Sequence, residues 1–168
     1  MTSLLLPDGS LFADRNAAEQ AVSMVVPMIQ AGLDSKTLGD SGFLHIVLMD
    51  PALRPTDCAF EDAILYEYSM GDRSAWDADY ALYAREKARV SWMNARNGHE
   101  LRACSPHFLR ASDTGVWGGI WFDGIAVGVS GAFPWFDEAI GVSIAAALRA
   151  VAKQRALAVP ESLWLTGT

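Results

Sequence analysis

Lys87, His107 and Asp137 are the side chains whose type and setting suit chemistry on a small molecule. Lys87 lies in Glu86-Lys87-Ala88-Arg89, with Trp76, Tyr80 and Tyr83 on the same helical stripe before it. From there its ammonium either reaches out to hold a carboxylate or snorkels over the aromatic faces and makes cation–π contacts. His107 follows Pro106 in a loop, a placement that suits a general base. Asp137 falls in the first turn after Pro134. It either orients a substrate hydroxyl, acts as a base, or simply matches the positive end of the helix dipole. Arg85 and Arg89 are four residues apart, repel one another slightly and seek anions elsewhere.

The corner that carries Asp137 is the run Val127-Gly128-Val129-Ser130-Gly131-Ala132-Phe133-Pro134-Trp135-Phe136-Asp137. It reads as a strand that stops at Ser130-Gly131 and a helix that opens at Pro134, a residue suited to the first helical position. Backbone N–H groups at such a corner have no intrahelical partners, so Ser130 and Gly131 are placed to receive a ligand's oxygens. The alternative is a tight turn that lets backbone pack on helix. Ser130 is no nucleophile elbow, because Ala132 breaks the Gly-x-Ser-x-Gly order, and the run lacks the Lys-Ser/Thr ending of a phosphate-binding loop. His45 sits on an otherwise apolar strand and reads as a satisfied core or interface histidine. His99 stands beside Gly98 in a turn. None of the histidines pairs at metal-ligand spacing.

The elements that must position these residues follow from hydrophobic periodicity. Helical spacing covers 14–30, with Ala17, Ala21, Met24, Val25 and Met28 on one face, Pro27 as a kink and Gly32 as the stop. Strands are expected at 43–49 and 63–68. A helix at 74–95 carries a small-residue stripe (Ala81, Ala84, Ala88, Ser91, Ala95) suited to close packing on a sheet. A short strand is expected at 99–104. Strands at 116–122 and 125–130 flank Asp123-Gly124, a strong hairpin signal. The last helix spans 134–155, with Ile140, Ile144, Ala147, Leu148 and Val151 inward. The expected fold is α+β: one mainly antiparallel five-stranded sheet flanked by helices, in the order α-β-β-α-β-β-β-α. Residues 1–168 form a single domain, with 156–168 a tail whose Trp164 favours docking on a neighbouring surface.

Composition sets the class. The chain has 168 residues, 51% hydrophobic, and 13 basic against 20 acidic side chains for a net charge of −7, which argues against nucleic acid as a partner. Cys58 and Cys104 suit a reducing compartment or mere packing better than a disulfide framework. Met1 to Ser10 lacks a basic n-region and is not a signal peptide, and no apolar run reaches the roughly 20 residues of a membrane span. A cytoplasmic protein is the expectation.

Two motifs resemble those of the GlcG/HbpS-like (DUF336, haem-degrading-domain-like) family. Glu86-Lys87-Ala88-Arg89 is similar to its Lys-Ala-(Arg/Tyr)-Thr-Ala helix, with Val90-Ser91 in place of Thr-Ala. Gly128-Val129-Ser130-Gly131 with Pro134, Asp137, Glu138 and Ala139 is similar to its Gly-Val-Ser-Gly and Pro-x-x-Asp-Glu-Ala segment, and Gly118-Gly119 to a Gly-Gly before the hairpin. The resemblance spans most of 12–155. It implies a haem or tetrapyrrole ligand, with propionates near Lys87 or Arg89 and His107 as an axial ligand to the iron. It also implies a homo-oligomer. The departures are local: the hairpin is shorter, the family's capping Thr is Phe133, and the polar pair after the proline is Trp135-Phe136. Those aromatics suit instead a non-haem aromatic or polyketide-like metabolite, held or turned over by Lys87, Asp137 and His107. An accessory subunit whose aromatics cover an oligomer interface is the third reading.

Overall fold

Asp14 starts the first helix by accepting the Ala17 N–H at 2.8 Å, the expected bond of a capping aspartate. The computed structural model describes residues 8–166. Its elements are α1 (Arg15–Asp34), β1 (Leu44–Met49), β2 (Ile64–Met70), α2 (Tyr80–Asn94), α3 (Gly98–Cys104), β3 (Gly119–Phe122), β4 (Ile125–Ser130) and α4 (Pro134–Ala158). Short 3-10 turns lie at Glu61–Ala63, Arg73–Ala75 and Pro106–Phe108. The reading of Met1 to Ser10 falls largely outside the described residues. No described helix is long and apolar enough to cross a membrane.

The sheet is antiparallel with order β2-β1-β4-β3. Both faces of β1 are buried, as its unbroken apolarity predicts. Leu44, Ile46 and Leu48 join Val127, Val129 and Ile120 beneath α1 and α4. Val47, Met49 and Ala126 face Ala84, Ala88 and Trp92 of α2. The chain is therefore three layers, with α1 and α4 on one face of the sheet and α2 on the other. Each fully buried Ile or Leu contributes about 1.5–3 kcal/mol.

The small-residue stripe of α2 has a specific purpose. Gly119 and Gly128 face each other across β3 and β4. A Cβ on Gly119 would run into the Lys87 carbonyl, and one on Gly128 into the Ala84 carbonyl. The helix backbone thus lies directly on two glycines, with Ala84, Ala88 and Ser91 wholly buried along the contact.

Four strands are present among the described residues where five were expected. The segment expected as a strand at 99–104 is the short helix α3. With Leu101 as its sole buried residue, α3 leaves almost no periodic signal. Helix α1 continues to Asp34 with Pro27 inside it and through Gly32, on which Leu38 folds back. Pro27 is on the exposed side, where water serves the backbone group that it leaves unbonded. Met24 and Met28 face solvent, and Val22 and Ile29 take the inner positions. Helix α2 begins at Tyr80 rather than 74, so Trp76 precedes it. Strand β3 begins at Gly119, because Gly118 has φ of 112° and turns Val116 and Trp117 off the sheet. Trp164 of the tail is 80% exposed.

Candidate functional site

The corner between β4 and α4 closes on itself. Lys87 Nζ donates to Asp137 Oδ2 at 2.9 Å and to the Val129 carbonyl at 2.9 Å. The Asp137 side chain is 2% exposed and that of Lys87 is 3% exposed. Asp137 Oδ1 accepts the Ala132 N–H at 3.0 Å. Phe133 cannot cap α4 with its side chain, and Asp137 reaches back from the first turn to serve the corner. Burial raises the Asp137 carboxyl from 3.8 to about 7, with the Lys87 charge and the Ala132 N–H pulling against it.

Gly118 is the lid of this pair. A Cβ there would lie 2.8 Å from Lys87 Nζ and 2.8 Å from Asp137 Cβ. Gly118-Gly119 thus provides the slot through which the Lys87 stem leaves the α2 layer. The corner backbone is equally committed. The Phe133 N–H donates to the Leu38 carbonyl at 2.7 Å, and the Phe136 and Asp137 N–H groups to the Phe133 carbonyl. At this corner the Ala132 N–H is taken by the chain's own carboxylate. Gly131, at φ of 132°, packs its α-carbon against Phe43 and Leu44, the tight-turn alternative. Ser130 is buried and pairs in register with His45.

The remaining residues named from the sequence are dispersed. Lys87 does not project among Trp76, Tyr80 and Tyr83; Tyr83 is 45% exposed and Trp76 stands edge-on to Tyr80 and His45. Arg89 pairs with Glu86 at 2.6 Å and with the buried Asp113 carboxylate at 3.1 Å, pinning the segment that leads to Gly118. His107 is exposed on its 3-10 turn, its ring beside Phe108. Lys87, Asp137 and His107 line none of the principal cavities. The haem implied by the resemblance does not fit these positions. The ammonium meant for a propionate is saturated internally, and the imidazole meant for iron lies out on a surface turn.

Trp135 does line a cavity. A groove of about 270 Å³ runs outside the sealed pair, between Arg102, Gly115, Val116, Trp117, Pro134 and Trp135. Trp135 stacks on Phe133 at 5.4 Å between ring centroids, and the Trp117 ring lies on His99 at 3.5 Å. Arg102 is fixed at the groove by donating to the Gly115 carbonyl at 2.8 Å. Its guanidinium has further N–H donors for an anion. Arg102, Val116 and Trp117 were not legible as site residues, because their meeting depends on the turn at Gly118.

A second polar cluster also escaped the sequence. His45, 4% exposed, bonds Ser69 Oγ at 2.7 Å and Glu67 Oε1 at 3.2 Å. Arg85 grips the same Glu67 with two bonds, at 2.7 and 2.6 Å. Cross-strand pairing of His45 with Ser69 explains the first contact. This is the satisfied buried histidine expected from its strand. Burial lowers its pKa, and Glu67 opposes that shift. Among the described residues no group of three metal-ligating side chains converges.

No family model, curated protein or solved structure matches the chain.

Proposed function

We propose that the chain is a small-molecule-binding protein of GlcG/HbpS-like kinship that holds a compact aromatic carboxylate in the groove beside the β4–α4 corner. The observation that carries this reading is the closed Lys87–Asp137 pair directly behind an open groove walled by Trp117 and Trp135. Lys87 and Asp137 are spent on holding the corner, and His107 stands apart on an exposed turn. Flat apolar walls and one cation remain for recognition. An engineered apolar cavity of about 150 Å³ accepts benzene, so a groove of about 270 Å³ suits one ring and its carboxylate. Kinship is supported by the meeting of the two motif segments, since Lys87 comes from one and Asp137 from the other.

Calorimetric titration with benzoate, benzyl alcohol and hemin tests the proposal. Benzoate binds saturably, benzyl alcohol binds about tenfold more weakly, and Arg102→Gln erases that difference. A saturable Soret shift with hemin and no benzoate binding would replace this reading with a haem site elsewhere on the chain.

A further inference from the structure

We infer that the chain has a second ligand site, at the far end of α2, for a flat bicyclic aromatic anion. A groove of about 570 Å³ lies between the β1–β2 connection, the end of α2 and the β3–β4 hairpin. That volume falls in the roughly 300–1,000 Å³ range of small-molecule sites. Its walls are Pro51, Leu53, Pro55, Trp92, Met93 and Trp121, and its lining is mainly apolar.

The site is built rather than merely bare. Trp92 is 4% exposed, donates its indole N–H to the Leu53 carbonyl at 2.9 Å, and meets the edge of Phe60 at 6.0 Å. That bond ties the connecting loop to the helix. The loop is held from the other side by Asp50, which accepts the Ala52 N–H at 2.8 Å and the Ser10 N–H at 3.1 Å. The main chain at Trp121 is held by its own N–H, which donates to Asn97 Oδ1 at 2.8 Å. Walls fixed in advance lose little conformational entropy when a ring slides between them.

The ligand class follows from the lining. Two indoles, a thioether and two prolines present flat, polarizable surface to an aromatic ring system. Polar recognition is concentrated at the rim. The exposed Arg54 lines the groove, and among the described residues its guanidinium has no ion-pair partner. An anionic substituent on the ring system would meet that cation, while the rings displace water from the apolar floor. The groove has about twice the volume of the one beside α4, so it takes two fused rings where the other takes one.

The test is a titration of the ¹⁵N-labelled full chain with 1-naphthoate, read from the indole N–H signals of its six tryptophans. Each signal is assigned by Trp→Phe substitution. The site predicts saturable shifts of Trp121 and Trp92 ahead of any other tryptophan. Arg54→Gln weakens binding about fivefold and abolishes the preference over neutral 1-naphthalenemethanol. Trp121→Ala weakens it at least tenfold, and Trp121→Phe stays within about twofold of the parent. Trp121 is half-buried, and an unchanged circular dichroism spectrum shows that its variants fold. Shifts confined to Trp135 and Trp117 would overturn this site and leave the α4 groove standing. Trp121 signals that stay still to millimolar naphthoate, or a naphthoate affinity indifferent to Trp121→Ala, would overturn it equally.

Discussion

Lys87 and Asp137 belong to helices on opposite faces of the sheet, and their 2.9 Å contact staples the two outer layers together beside Val129 of β4, at the start of β3. Each charge is buried with its partner, so removing one strands the other. Lys87→Met alone, which leaves the Asp137 carboxyl buried without its cation, should lower unfolding stability by about 3–5 kcal/mol, and Asp137→Asn, which keeps a neutral oxygen for Lys87 and the Ala132 N–H, by less. The double variant Lys87→Met/Asp137→Asn should lose less than the sum. Urea unfolding of the four proteins measures the coupling, and strict additivity would mean that the pair is not a staple.

The same pair sets a pH dependence. Desolvation raises Asp137 in the folded chain to about 7, above its value of 3.8 when exposed. The fold therefore binds that proton more tightly than the unfolded chain does. Its contribution to stability is complete below 3.8 and is lost as pH rises through about 7. The stability of the parent relative to Asp137→Asn should decline over that interval. A carboxyl-carbon titration by NMR should place the Asp137 midpoint near 7. A midpoint at or below the ordinary aspartate value would contradict the burial argument.

His45 acts in the opposite direction. Burial holds its pKa below 6.5, so its contribution is present above pH 6.5 and is lost as pH falls through the folded value. His45→Gln keeps a partner for Ser69 and cannot be charged. Thermal unfolding across mildly acidic pH should show a gentler acid limb for this variant. Parallel limbs for variant and parent would remove His45 as their cause.

Close approach of α2 to the sheet predicts a sharp contrast among glycines. Gly128→Ala and Gly119→Ala force a methyl into helix backbone and should each cost about 3 kcal/mol or more, the upper end for overpacking. Gly124→Ala meets open space and carries only the strain of a φ of 82°, about 1–2 kcal/mol. Denaturant midpoints of the three variants rank the effects. Equal losses would show that overlap at Gly119 and Gly128 is relieved without strain.

Much of the scaffold was legible because its signals are local. The Asp123-Gly124 hairpin, the doubly apolar β1 and the proline opening of α4 each announce themselves within a few residues. Helix α3 did not, because one buried leucine makes no period. The site was harder to read. Lys87 and Asp137 stood out as chemical groups, but nothing in the sequence showed that they neutralise each other across 50 residues of chain. Without that pairing, Lys87 reads as a free cation among aromatics. Trp135 could be read from the sequence as a residue that makes the corner apolar. Arg102 and Trp117 became its neighbours only through the positive φ at Gly118.

The central claim is that ligand binds outside a corner that stays shut. Benzoate titrated into ¹⁵N,¹³C-labelled protein tests it most directly, with the indole signals of Trp135 and Trp117 and the carboxyl carbon of Asp137 followed together. The account predicts saturable movement of both indoles while Asp137 holds its position. Movement of Asp137 with the two indoles unmoved would contradict it, because the ligand would then have opened the Lys87–Asp137 pair.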